Sequence, residues 1–258
     1  MQIRPASRTP TAMSRIRLDQ FVVARGLAET RARARDAILR GAVTVDGRVA
    51  TKAGEPVDEG ADVRLDDPAA RWVSRAALKL VGGLDAFGFD VAGRRALDVG
   101  ASTGGFTEVL LDRGAAHVTA IDVGHGQLHP RVAADPRVTA IEGLNARELS
   151  ATHLAGAPEA VVCDVSFISL TLALPPALAL AAPGAVGVFL AKPQFEVGRE
   201  RIGKGGLVDP AEGEAAARRL AAWVDGRDGW RTLGLVPSPI AGGDGNHEHL
   251  IGAVRDRT

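Results

Sequence analysis

Apolar positions near the N-terminus recur first at helical and then at strand spacing. Leu18, Phe21, Val22 and Leu27 share one face of a segment that begins at Arg17, and Gly26 supplies its stop. Thr30 stands where it can cap a second helix, in which Arg31, Arg35 and, a turn later, Ile38-Leu39-Arg40 leave an outer face of arginine. Gly41 to Val49 alternates around Asp46-Gly47, the strongest two-residue hairpin signal, and Ala61-Asp62-Val63-Arg64-Leu65 reads as one more strand. These elements predict a small α+β domain over residues 14–67, followed by a linker at 68–73.

From residue 74 the pattern changes to apolar strands alternating with helices, as in an α/β, Rossmann-like domain that runs to 258. Arg95-Ala96-Leu97 closes one short strand, and Phe106 to Leu111 carries apolar residues at helical spacing. His117 to Asp122, Val161 to Asp164 and Phe189 to Lys192 are further strands, each ending in a charged residue. Between Val165 and Ala191 lie twenty-seven residues without a charge, long enough to span a bilayer. Pro175-Pro176 and Pro183-Gly184, however, divide the run into a helix-sized piece and a strand, Ala185 to Ala191, as a buried α/β unit requires. No membrane partner is expected.

The richest stretch is Leu97-Asp98-Val99-Gly100-Ala101-Ser102-Thr103-Gly104-Gly105-Phe106, where a strand ending in an acid meets a glycine turn and a helix N-terminus. Glycine there permits positive φ and close approach of the main chain to a ligand. A dinucleotide fingerprint would need glycine where Ser102 stands, and a P-loop would need Gly-Lys-Ser/Thr where Gly105 is followed by Phe106. A carboxylate facing a glycine turn suits a cofactor with a cationic amino-acid end, and S-adenosylmethionine is such a molecule. Asp122 follows Asp98 by twenty-four residues, at the distance where a strand-end acid takes ribose hydroxyls.

Composition adds the partner. The 258-residue chain has one cysteine, Cys163, and six scattered histidines, which offer neither a disulfide framework nor zinc spacing; no metal is expected. Net charge is zero, yet residues 1–53 hold eleven Arg and Lys against four acids, a net +7, so the remainder carries −7. Such asymmetry points to a nucleic-acid-facing end on a neutral or acidic body. Residues 1–13 lack the apolar core of a signal peptide and read as a disordered tail or a start-site artefact, and the protein as cytoplasmic.

The order Arg-Leu-Asp, Ser/Thr-Arg, Gly-x-Val-x-Val-Asp-Gly resembles the S4-like RNA-binding module. Joined to the glycine turn and to Lys79, Asp164, Lys192 and Glu248, it makes nearly the whole chain from about Ser14 resemble the TlyA family, in which that module is fused to an FtsJ-type ribose methyltransferase. The resemblance implies a Lys-Asp-Lys-Glu catalytic tetrad of Lys79, Asp164, Lys192 and Glu248. It implies cofactor contacts at Asp98, Gly100, Ser102, Thr103, Gly104, Gly105 and Phe106, at Asp122 and Val123, at Gln127 and Leu128, and at Asn145. It further implies docking of ribosomal RNA or ribosomal subunits through Arg17, Arg31, Arg35 and Arg40, and 2′-O-methylation of a ribose, that of cytidine. The chain departs from the family's usual Gly-Gly before the first lysine, carrying Ala76-Ala77, and has His125 where Tyr is usual.

The chemistry fits those residue types. A 2′-hydroxyl must lose its proton as it attacks the sulfonium methyl, and a lysine held between Asp164 and Glu248 can align it or stabilise the developing alkoxide. Cytosine C5 methylation would need a cysteine nucleophile, and Cys163 lies inside a strand. Methylation of an exocyclic amine would need Asn/Asp-Pro-Pro-aromatic, where the chain has Asp164-Val165-Ser166-Phe167. Two rival classes stand beside the enzyme: a non-catalytic RNA-binding factor with a methyltransferase shell, and a membrane-active, haemolysin-like protein.

Overall fold

The computed structural model describes residues 15–257; the expected tail at 1–13 lies outside them. The chain divides into two compact units between Ala70 and Arg71. In the first unit, β1 (Arg15–Arg17) leads into α1 (Leu18–Ala24), and α2 (Arg31–Leu39) starts where the Thr30 hydroxyl accepts the Arg33 amide at 3.2 Å. Then follow β2 (Val43–Val45), β3 (Arg48–Val49), β4 (Pro56–Asp58) and β5 (Val63–Leu65). The hairpin forms as the sequence predicts, with Asp46 at φ 50° and Gly47 at φ 79°, the primed-turn conformation that matches strand twist. The β1–β4 pair is unpredicted, because three-residue strands carry too little periodicity. Leu18, Phe21, Val22, Ile38 and Val43 form this unit's core.

The second unit opens with Trp72, which lies within the stretch expected to be linker yet is 4 % exposed and packed into the core. Its elements are α3 (Ala77–Phe87), β6 (Arg95–Val99), α4 (Gly105–Asp112), β7 (His117–Asp122), α5 (Pro130–Ala133), β8 (Val138–Glu142) and β9 (Ala160–Cys163). After them come α6 (Leu170–Ala173), α7 (Pro175–Leu180), β10 (Val186–Ala191), α8 (Pro193–Glu196), α9 (Pro210–Asp225), β11 (Trp230–Pro237) and β12 (His249–Arg255). Pro175 and Pro176 open α7, where the missing amides cost nothing. Among the described residues no helix is long and apolar enough to cross a membrane.

The strands form one sheet in the order β11-β12-β10-β9-β6-β7-β8. The five strands β10-β9-β6-β7-β8 are parallel; β12 runs antiparallel to β10 and to β11. Strands buried on both faces send alternate side chains to two cores. Val161, Cys163, Phe189 and Ala191 join one core with α7 and α9, whereas Ala160, Val162, Val188 and Leu190 join the other with α3 and α4. The chain leaves β6 toward β7 and β8, then returns to β9 on the opposite side of β6. The carboxyl ends of β6 and β9 therefore flank the crevice where open α/β sheets bind ligands.

Candidate active site

Asp98 on β6 is wholly buried beneath the glycine turn. One of its oxygens accepts the Thr107 hydroxyl at 2.6 Å, while Oδ1 has no hydrogen-bond partner. Burial pushes its carboxyl up to about 7, the charges of Asp164 and Asp122 push the same way, and Thr107 opposes them. Above it Gly100, Ser102 and Gly104 take φ of 84°, 46° and 94°. A Cβ on Gly100 would stand 3.0 Å from the Asp164 carbonyl oxygen, so glycine is what lets the turn lie against the end of β9.

Asp122, ending β7, organises the facing wall. Its two oxygens accept the Ser102 amide at 2.8 Å and the Gly124 amide at 2.7 Å. Glu142, ending β8, accepts the amides of Gly126 at 2.7 Å and Gln127 at 3.1 Å, and these N–H groups hold its carboxyl below the usual range. The Ser102 hydroxyl reaches the Gln127 side-chain oxygen at 3.2 Å. Together these contacts shape a cavity of about 540 Å³.

The four residues expected to act as a tetrad form two ion pairs. Lys79 of α3 meets Glu248 at 2.5 Å, both nearly inaccessible, and burial raises the Glu248 carboxyl while Lys79 opposes the rise. Lys192, just past β10, meets Asp164 at 2.7 Å and donates to the Ser166 hydroxyl at 2.8 Å. Lys192 thus contacts Asp164 and Ser166 directly and acts on Glu248 through its charge, which lowers that carboxyl while the charge of Asp164 raises it. Asp164 and Ser166 line the cavity.

The FtsJ-like methyltransferase family matches residues 72–255, and the S4 domain family matches 16–63. Over 92 % of this chain and 89 % of the relative, the sequence is 47 % identical to the 16S/23S rRNA (cytidine-2′-O)-methyltransferase TlyA of Mycobacterium tuberculosis. This chain belongs to the TlyA family. It is 36 % identical to Hemolysin A of Brachyspira hyodysenteriae, over 91 % of this chain and 98 % of that one. A solved structure carrying a hemolysin name, from Streptococcus thermophilus, superposes with a TM-score of 0.72 at 39 % identity, covering 96 % of this chain and 90 % of its own.

In this TlyA-family chain, the sequence-predicted Gly100, Ser102, Asp122, Val123, Gln127 and Asn145 all line the cavity. Phe106 does not: it is 3 % exposed and packs with Val109 and Leu110, because it is the inward residue of an amphipathic helix. Leu128 lies over Gly104, where a Cβ would approach it to 2.7 Å, so both belong to the packing beneath the turn. Thr103 and Gly105 are likewise not among the lining residues, and Asp98 acts from below. Sequence reasoning did not single out Ile121, Gly124, Leu144, Ala146, Val165, Ser166, Phe167 and Ile168; the last four directly follow Asp164, and position just beyond a strand-end acid is the signal that could have found them. Cys163 is fully buried, and burial pushes its thiol up, which disqualifies it as a nucleophile.

The arginines expected to face RNA separate into two kinds. Arg17 and Arg31 both pair with Asp19, at 3.1 and 3.0 Å, yet keep about half of their side chains exposed. Asp19 is buried, and its hydrogen bond with Arg17, joined by Arg31, lowers its carboxyl to about 2. Arg35 is exposed and makes no ion pair among the described residues. Arg40 is different: Asp36 and, at 2.7 Å, Asp67 engage its guanidinium, and its side chain is 16 % exposed. It ties α2 to the end of the unit and is not available to a phosphate.

Proposed function

We propose that this TlyA-family enzyme transfers the methyl group of S-adenosylmethionine to the 2′-hydroxyl of a cytidine in ribosomal RNA, as a cytoplasmic protein acting on ribosomal subunits. The observation that carries this reading is the juxtaposition, where the strand order reverses, of the glycine-turn cavity with Asp164, Ser166 and Lys192. The choice of cytidine and of ribosomal RNA follows the activity named for the mycobacterial relative.

The residues present fit the cofactor. Asp122 keeps acceptor capacity on both oxygens for a ribose diol, Asn145 and Val123 line the neighbouring wall, and the partnerless Oδ1 of Asp98 leaves negative potential beneath the turn for a cationic end. When bound, the cofactor supplies an already activated methyl group, so the chain's own task is alignment. Lys192, placed by its 2.7 Å pairing with Asp164, presents positive charge to the oxygen that loses its proton. Lys79 and Glu248 act from deeper in the fold, where their pairing braces α3 against the loop preceding β12.

The first unit supplies affinity through Arg17, Arg31 and Arg35, whose outward charge suits phosphates. Replacing Arg31 and Arg35 with Ala is expected to reduce the slope of log affinity against log salt by roughly two, about one per lost phosphate contact. Arg40→Ala, in contrast, should leave that slope unchanged and lower the melting temperature. A slope indifferent to the double replacement would place RNA on another surface.

The proposed function is tested by incubating ribosomal subunits with labelled cofactor, then digesting the RNA to nucleosides. Label on the ribose of cytidine is the expected result, with cofactor binding seen by calorimetry. Label on a base, or no transfer to either subunit despite cofactor binding, would overturn the reading.

A further inference from the structure

We propose that Ser166 is a positioning residue for Lys192: its hydroxyl accepts the ammonium and holds it, together with Asp164, against the cavity. This rests on the reading of Asp164 and Lys192 as the pair that faces the reacting oxygen. Lys192 Nζ lies 2.7 Å from Asp164 Oδ1 as an ion pair and donates its hydrogen bond to Ser166 Oγ at 2.8 Å, so the serine supplies the directional contact that the carboxylate does not. One carboxylate contact leaves a flexible four-carbon side chain free to swing about it. A hydrogen-bond acceptor two residues along the same loop removes that freedom and fixes the direction of the ammonium.

The loop is built to keep the serine there. Phe167, the next residue, sits at φ 66°, a conformation that side chains other than glycine adopt only when their surroundings impose it. Three contacts from the helix that follows Lys192 brace this stretch, while the Phe167 ring itself stays 90 % exposed. The Phe167 and Phe195 rings lie 5.2 Å apart, and Glu196 accepts the Ser169 hydroxyl at 2.6 Å and the Leu170 amide at 2.8 Å. Burial raises the Glu196 carboxyl, a cost the chain bears to keep this tie. The segments after β9 and β10 are thus joined at successive points, with the Lys192–Ser166 bond nearest the cavity.

The test compares Ser166→Ala and Ser166→Thr in the full chain. Losing an acceptor to a charged group should lower kcat roughly 10- to 100-fold in the alanine variant. The cofactor dissociation constant should stay within about twofold, since the serine acts through Lys192. Threonine, which keeps the hydroxyl, should restore most of the rate. A second readout does not depend on turnover: in 15N-lysine spectra the Lys192 ammonium, assigned by its loss in Lys192→Arg, should exchange slowly with water in the wild type and in Ser166→Thr, and rapidly in Ser166→Ala. Wild-type kcat in the alanine variant, a rate loss matched by equal loss of cofactor affinity, or ammonium exchange unaltered by the substitution would each overturn the proposal. If the wild type itself transferred no methyl to ribosomal RNA, the proposed function would fall, while the ammonium spectra would still decide the role of Ser166.

Discussion

Lys192→Ala is expected to cut methyl transfer to ribosomal RNA by ~10²–10⁴, about 3–5 kcal/mol of barrier, with cofactor affinity and fold close to wild type. The size follows from what is removed: a cation fixed by Asp164 and Ser166 at the edge of the cavity, whose charge counts most when the hydroxyl oxygen becomes negative. The cofactor turn is untouched, because Lys192 lies past β10 and the turn follows β6. Lys79 is not an equivalent probe. Removing one member of the buried Lys79–Glu248 pair leaves an uncompensated charge in the core and costs about 3–5 kcal/mol of stability, so its lost activity would mix folding with chemistry. Single-turnover transfer from labelled cofactor, beside a binding isotherm for each variant, separates the two. Near-normal transfer by Lys192→Ala with a normal isotherm would refute its assignment.

A second large effect is expected at Asp98. The folded protein holds its proton up to about 7, whereas the unfolded chain releases it near 4, so the stability linked to this group is complete below about pH 4 and is lost as pH rises toward 7. Asp98→Asn carries no charge at any pH and escapes that loss. Its stability relative to wild type should therefore climb between pH 4 and 8 by on the order of 4 kcal/mol, read as a melting-temperature difference that widens with pH. The same substitution removes the negative potential under the glycine turn. Saturating S-adenosylmethionine should accordingly raise the melting temperature of the wild type much more than that of the variant at pH 8. A melting difference that stays constant from pH 4 to 8 would show that Asp98 is not the buried acid described.

The places where sequence reasoning succeeded share a physical cause. The turn at Asp98 to Gly105, the strand-end acids Asp122 and Asp164, and Lys192 are local patterns, in which residue type and chain position together specify the structure. The pairing of Lys79 with Glu248 is not local, since it joins the unit's first helix to the loop before its final strand, and no periodicity reports it. Ser166 was invisible because its role depends on the left-handed Phe167 beside it, a conformation that no neighbouring glycine announces. Phe106 and Leu128 stand outside the cavity lining, since an apolar residue next to a cofactor turn looks the same in sequence whether it faces the cavity or the core. Arg40 looked like its helix neighbours until Asp67, far along the chain, was found to hold it.

The place of β12 decides whether the parallel part of the sheet has an open edge. It follows every other strand in the chain, yet it lies between β10 and β11. Without β12, β10 would pair with β9 on one side only, and its other side would be an unpaired row of amides and carbonyls along six buried residues that face two cores alternately. Such an edge invites pairing with any neighbouring chain. β11 cannot cover it, because its own ladder is to β12. Loss of residues 249–255 would therefore expose that edge and, in the same step, remove the strand that holds Glu248 against Lys79.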